Sequence, residues 1–468
     1  MAQSPYAKGQ GFTPRPARTA GSGAGTMHTP GGKGLSNRAA AGSVSDRGRG
    51  REAGRLPAGR GRAGLQASCD AIVLGAGASG LAFALRFSEL GRSCLALDHA
   101  REPGRKLSLA GGGRANFTSA QLGEAAYLCR TPAFVAPVLD AFSAQGMVRL
   151  VEELGLPWEL RGGGKYFLKT EAGALVRALL SRIRRQGAFE LCMERSFAPE
   201  DVEISGTGVR VRTKDGASFE ARHLVVALGS PACPGSGATG LGFALAQRLG
   251  HKVLAPEAAL TPLLLPEDSP LLGLQGISLP ALIDVEGIDG QRHRFQDDLL
   301  FTHAGISGPC VLKASLFWKR DTPVRVDFLP GVDAQGLFAD ENAGRGTPRS
   351  LLARHLPQKL CDALLPEDLA KRRVAEIKKA VRRELIDRFT KLAFVPRGAA
   401  GLRQAEVCRG GVDCAGIEPL TFFSRLNPRV SFVGEVLDVT GLLGGFNLHW
   451  AFASGWLAAE ALARRLAS

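Results

Sequence analysis

The sequence predicts an α/β fold in which one dinucleotide-binding domain is divided by an insert. Three observations predict it. A strand–turn–helix–strand unit opens near residue 70, a strand and a glycine-opened helix close the chain, and the apolar runs between them are short and broken by Gly and Pro. At 468 residues there is room for two or three domains, and an apolar fraction of 45% supports a full core.

Charge is unevenly placed. Of the net +15, residues 1–68 carry +9 from 11 Lys and Arg against Asp46 and Glu52. Residues 345–403 carry another +9, from 15 Lys and Arg against six acids. The rest is near neutral, so the two basic segments suit a polyanion or are solvated faces. The nine cysteines are scattered, with no C-x-x-C pair and no Cys/His cluster at metal-ligand spacing. A reduced, cytoplasmic setting without a metal site fits that scatter better than a disulfide framework or zinc. Apolar runs stay below the roughly 18 residues of a membrane span, so no membrane is expected.

Residues 1–68, rich in Gly, Ala, Arg and Pro, are expected to be a disordered basic extension. Organelle import, an upstream-extended start with Met27 as the alternative, and an RNA-touching tail all remain open for them. Residues 69–256 form the first part of the dinucleotide domain. Asp70–Leu74 reads as a buried strand, Leu81–Leu90 as a helix closed by Gly91, and Cys94–Leu97 as a strand ending on Asp98. His223–Ala227 is a further strand. Residues 257–405 are the insert, β-rich over 257–335 and helical and basic over 345–403. Residues 406–468 complete the first domain with the strand Val430–Val433 and the helix Asn447–Leu466, where Trp450, Ala453, Leu457 and Ala461 stand at helical spacing.

The turn Gly75-Ala76-Gly77-Ala78-Ser79-Gly80 sits between strand and helix, as phosphate binding requires. The first glycine permits the tight turn, the second lets the backbone approach a pyrophosphate, and the third packs helix on strand. The diphosphate then meets free N–H groups and the positive end of the helix dipole. Asp98, 18 residues beyond Gly80, can accept the ribose hydroxyl. After Arg105 and Lys106 comes a second glycine loop, with Gly112, Arg114 and Asn116, that suits a larger cofactor than NAD alone. Near the C-terminus, Gly434, Glu435 and Asp438 follow a strand, and Gly444, Gly445 and Asn447 open the last helix. That pairing points to FAD in a split Rossmann-like domain, with the helix N-terminus beside the flavin's pyrimidine side. A second GxGxxG, Gly235–Gly240, follows Pro231 and Pro234 rather than a strand. It is read as a decoy for NAD(P)H, while the strand ending at Gly229 closes against the FAD.

Five segments together resemble a known family. They are GAGASGLAFAL (75–85), GRKLSLAGGGRANFT (104–118), LLFTHAGISGP (299–309), RGGV (409–412) and VGEVLDVTGLLGGFNLHWAFASG (433–455). In this order they resemble the BaiN/RdsA-type NAD(P)/FAD-dependent oxidoreductases, with aminoacetone-oxidase-like members. The resemblance implies an FAD domain interrupted by an insert with a β-barrel part and a helical part. It also implies reduction of a uridine in large-subunit ribosomal RNA, amine oxidation, or reduction of steroid-like substrates. The chain departs from the family at Ala110 and Ala115, where Ser and Cys are frequent, at His449, where Gln is usual, and at Leu168, where Pro is common.

A hydride delivered by reduced flavin needs a proton for the neighbouring atom, which a histidine can supply. His303, in the Thr302–Pro309 segment, is the first candidate, with a turn-pinning role as the alternative. His449 is the second, against a packed position beside Trp450. The basic residues of 371–391 recur at three-to-four-residue steps beside Val374, Ile377, Val381 and Leu385, a cationic helix flank suited to RNA phosphates or to solvent. The expected function is NAD(P)H-dependent reduction of a ribosomal RNA uridine by an FAD enzyme. A small-molecule amine oxidase or steroid-like reductase is the rival within the class. A non-catalytic, flavin-containing RNA-binding or redox-sensing protein is the rival outside it.

Overall fold

The computed structural model describes residues 69–339 and 346–468; the expectations for residues 1–68 lie outside the described residues. The strand Cys69–Leu74 is central in a seven-stranded sheet. It pairs in parallel with Cys94–Leu97 on one side and Ser218–Val226 on the other. Phe189–Cys192 extends the first side in parallel. On the second side Ser218–Val226 is shared. Its end pairs in parallel with Val430–Phe432, and its start pairs antiparallel with Val209–Arg212. Ala71, Ile72, Val73 and Leu74 are all fully buried, as the unbroken apolar run requires of a parallel strand covered on both faces.

The first helix, Ala78–Glu89, starts three residues earlier than its apolar periodicity suggests, because Gly77 in an extended conformation releases the chain into the helix. The last helix, Phe446–Ala467, lies against it. A Cβ on Gly455 would stand 2.3 Å from the Ser79 carbonyl oxygen, so the two helices meet at backbone contact. This links the beginning and end of the described chain in one core, built from residues 71–246 and 405–463.

A second core draws on residues 263–389. Its frame is a seven-stranded antiparallel sheet, with the hairpin Ser278–Glu286 and Arg292–Phe301 paired over nine positions. Alternate residues Leu279, Ala281, Ile283 and Val285 point inward, the period-two pattern of a strand with one wet face. The end strands, Leu392–Phe394 and Gly398–Ala399, are joined by only residues 395–397. Those residues reach about 14 Å at most, so the sheet curls back on itself. Helices Pro348–Leu352, Gln358–Leu364 and Lys379–Thr390 cover it.

The basic stretch is not one helix. Val374–Glu376 is a 3-10 turn and Lys378 is extended, so Lys371, Arg372 and Arg373 precede the helix that carries Arg383 and Arg388. The apolar side holds: Val374, Ile377 and Leu385 are buried. Two neighbouring strands connect the cores. Val253–Ala259 leaves the first and Val407–Val412 returns to it, paired antiparallel. Among the described residues no single helix is long and apolar enough to cross a membrane.

Candidate active site

The carboxyl ends of the parallel strands at Leu74, Leu97 and Val226 lead directly into residues lining a cavity of about 580 Å³, and the chain beyond Phe432 reaches it at Glu435. Such an edge is where open parallel sheets bind ligands. Gly75 makes the turn out of the first strand at a φ of 104°, and its N–H reaches the Leu97 carbonyl at 2.8 Å. No side chain caps the helix that follows, which leaves its first N–H groups to an anion.

Gly75, Gly77, Ser79 and Asp98 line this cavity, as do Arg105, Lys106, Gly112 and Asn116. From the later chain Gly229, Glu435, Gly444, Gly445 and Asn447 join them. The Asp98 carboxylate accepts the N–H groups of Ala76 and Ala100, both at 2.8 Å, so it also ties the first glycine turn to the segment that leaves the second strand. Lys106 Nζ lies 2.7 and 2.9 Å from the Glu435 oxygens, and Ser230 Oγ donates to Glu435 at 2.7 Å. Asn447 is committed to its own loop, accepting the Gly441 N–H at 2.7 Å and donating to the Gly441 carbonyl at 2.8 Å. Asn116 satisfies its neighbours when its oxygen accepts the Gly445 N–H at 3.3 Å. The second glycine loop thereby holds the start of the last helix.

Five expected cofactor residues stand elsewhere. Ala76 and Gly80 are buried beneath the turn, and Gly434 is buried with its N–H on Ser454 Oγ at 2.9 Å. Arg114 turns outward toward Glu159, because the left-handed run Gly111–Gly113 reverses the chain before it. Asp438 is buried behind the wall, where it accepts the Arg130 N–H at 3.1 Å. Burial raises its carboxyl to about 6. The Gly235–Gly240 loop contains a 3-10 turn, and Ser236, Gly237 and Ala238 belong to the wall of this same cavity.

Neither candidate histidine lines the cavity. His303 is exposed in the turn closed by Thr302 and Gly305, outside the wall. His449 is fully buried. Its Nε2 donates to the Phe142 carbonyl at 2.9 Å, so Nδ1 accepts from the Thr118 hydroxyl at 2.9 Å. Burial lowers its pKa to about 4. The unfolded chain therefore takes up a proton below about pH 6.5 that the folded protein refuses, and stability falls as pH drops from there toward 4. We expect His449→Gln, whose amide can donate and accept at the same two places, to change stability at pH 7 by less than about 1 kcal/mol. Urea midpoints at pH 7 and pH 5 should then show a smaller acid loss in the variant than in the parent, by about 2 kcal/mol.

The motifs did not mark several ionisable groups that do line the cavity, among them His99, Glu102, Lys165 and Glu406. Lys165 follows the Gly162–Gly164 turn, and its Cε is 3.7 Å from where a Cβ on Gly444 would stand. Glu406 immediately precedes the returning strand. Desolvation by the surrounding wall raises its carboxyl, against the opposing pull of Lys106.

The fit to FAD rests on bare backbone. Gly77, Gly112 and Gly229 face the cavity, and an added Cβ on any of them would meet no protein atom within 4 Å. These are the places where a flat diphosphate or ring can approach the main chain. Residues 69–461 match the HI0933-like protein Rossmann domain.

The chain belongs to this family. Two HI0933-like relatives are named ribosomal RNA dihydrouridine synthase. The protein from Haemophilus influenzae is 34% identical over 84% of this chain and 98% of its own length, and the protein from Escherichia coli has the same identity and coverage. A third, the 3-dehydro-bile acid delta(4,6)-reductase of Clostridium scindens, is 30% identical over 84% of this chain and 98% of its own. Among solved structures, 3-ketosteroid-delta4-(5alpha)-dehydrogenase from Rhodococcus jostii aligns over 86% of this chain and 98% of its own, at 15% identity and a TM-score of 0.45. This HI0933-like protein is an FAD-dependent oxidoreductase.

Proposed function

We propose that the protein is an NAD(P)H-dependent dihydrouridine synthase acting on a uridine of large-subunit ribosomal RNA in the cytoplasm. The observation that carries this reading is the match, along nearly their whole length, to two ribosomal RNA dihydrouridine synthases. The residues that would hold the cofactor are Gly75, Gly77 and Ser79 at its diphosphate, Asp98 at a ribose, and the Lys106–Glu435 pair and the Gly444–Gly445 loop toward the flavin. Once reduced by a nicotinamide cofactor, bound FAD supplies hydride to an electron-poor carbon. The protein's part is to orient the acceptor, keep water away and provide a proton.

RNA contact is assigned to the basic segment. Arg372, Arg373, Lys378, Lys379, Arg383 and Arg388 are exposed and form no ion pair among the described residues. Their replacement by alanine is expected to weaken RNA binding and to reduce the slope of log affinity against log salt by up to about 4, since each phosphate contact on a single strand contributes about 0.7. An unchanged slope counts against the assignment.

The deciding experiment maps dihydrouridine in ribosomal RNA from cells that lack the gene. Loss of one modification, restored by the gene, is the expected result. A complete pattern favours the small-molecule reading that the bile acid reductase relative supports. Anaerobic NAD(P)H should bleach the bound flavin in either case.

A further inference from the structure

The ionisable groups of the cavity sort by their bonds. Asp98 is taken by two backbone N–H groups, with His99 beside it at 3.6 Å. Arg105 donates to the Gly235 carbonyl at 3.1 Å, on the same wall. Lys106, Glu435 and Ser230 satisfy one another. The Glu406 carboxyl has no hydrogen-bond or ion-pair partner among the described residues, although its main-chain N–H is held by the Leu260 carbonyl. Its neighbours Leu260 and Val407 belong to a small apolar cluster against which Leu442 and Leu443 pack. Leu442 and Leu443 lead directly into Gly444 and Gly445 at the start of the last helix. The carboxyl therefore stands on the wall where the returning strand meets the loop assigned to the flavin.

We propose that Glu406 is the proton donor of the reduction, a catalytic residue facing the uracil ring. This rests on the uridine reading above. As one carbon of the ring's C5=C6 bond receives hydride from the reduced flavin, the O–H bond of Glu406 breaks. Its proton takes the electron pair left on the adjacent carbon. Two C–H bonds replace the C=C double bond, the flavin gives up two electrons, and the carboxylate recovers its proton from water. Glu406 is itself exposed to the open cavity, and the partial desolvation it does meet raises its carboxyl above the usual carboxylate range, the direction a general acid needs. The cavity groups around this wall are Lys106, Glu435 and Lys165. None of the three is a free carboxyl; Glu102, the other lining carboxyl without a partner among the described residues, is exposed in the segment that follows Asp98.

The test uses FAD-loaded wild type, Glu406→Gln and Glu406→Asp. Each is reduced photochemically without oxygen and then mixed with ribosomal RNA from cells lacking the gene. FAD content and melting temperature equal to wild type show that each variant is folded and loaded. Reoxidation by RNA, followed by flavin absorbance and by dihydrouridine formed, should slow about 100- to 1,000-fold in Glu406→Gln, within the usual range for a lost acid. Glu406→Asp should recover part of that loss. A second readout needs no RNA. Titrating the oxidised holoenzyme between pH 4 and 8 should show a step in the flavin spectrum of wild type that is absent from Glu406→Gln. Reoxidation of Glu406→Gln within threefold of wild type, or identical titrations, overturns the assignment while leaving the uridine reading in place. Failure of the wild type to be reoxidised by RNA overturns both.

Discussion

Gly77→Ala is expected to fold normally and yet lose FAD, while Gly80→Ala is expected to destabilise the fold itself. Gly77 has an ordinary extended backbone, φ −83° and ψ −166°, and its Cβ would meet nothing of the protein within 4 Å. Alanine there restricts the unfolded chain and should leave stability unchanged or raised by up to about 1 kcal/mol. Only a ligand pressed against that backbone would object, so FAD affinity should fall at least 100-fold, about 3 kcal/mol. Gly80 is the opposite case. Its Cβ would stand 2.0 Å from the Gly75 carbonyl oxygen, a main-chain atom with nowhere to go. The first helix must then lift off the sheet, which costs about 3 kcal/mol. Chemical denaturation of the FAD-free proteins, with FAD titrated by fluorescence quenching, separates the two effects. If Gly77→Ala retains FAD at wild-type affinity, the diphosphate does not lie over that turn.

Arg409→Met should be the most damaging single change away from the cofactor. The Arg409 guanidinium is buried at 8% exposure on the returning strand. It donates to the Leu316 and Trp318 carbonyls at 2.9 and 3.0 Å and pairs with Glu257 on the outgoing strand at 2.5 Å. Leu316 and Trp318 lie at the end of the helix Pro309–Phe317, whose last carbonyls need donors from outside the helix. Methionine fills much of the volume and supplies no donor. Two buried carbonyls are left unmatched, at about 1–3 kcal/mol each. A loss of about 4 kcal/mol in urea unfolding is expected, with Arg409→Lys recovering part of it through one donor. A loss below about 1 kcal/mol would show that water replaces the guanidinium.

The cofactor half was the more legible because its chemistry is local. A strand, Gly75, Gly77 and Gly80, a helix and Asp98 fall within 30 residues, and that short spacing sets their geometry almost alone. The last helix was equally plain, since an apolar face repeats along it. Asp438 and Arg114 misled because a residue beside a motif need not face the way the motif does. One follows a reversal of chain direction, and the other sits behind the wall. His449 misled by chemical type, as a titratable side chain between two hydrogen-bond partners is a packing element. Lys165 and Glu406 were invisible for a different reason. Each reaches the cavity only because strands far apart in sequence meet there, which composition and periodicity do not encode. The basic stretch was overread as one helix because Lys and Arg spacing does not reveal the extended residue Lys378.

The pairing of Val253–Ala259 with Val407–Val412 has an evolutionary consequence. Residues 259 and 407 face each other in the ladder, so the two cut points are only about 5 Å apart, the usual spacing of antiparallel partners. A lineage could exchange nearly everything between them for another structure while the cofactor cradle lost from its wall only Leu260 and Glu406, the two lining residues next to the cut points. Descendants of one ancestor could then acquire unrelated acceptors by replacing one cassette, while the electron-carrying half stayed under constant selection. A reductase of nucleic acid and a reductase of a small lipid-like molecule would then differ by the same kind of change as two tools fitted to one handle.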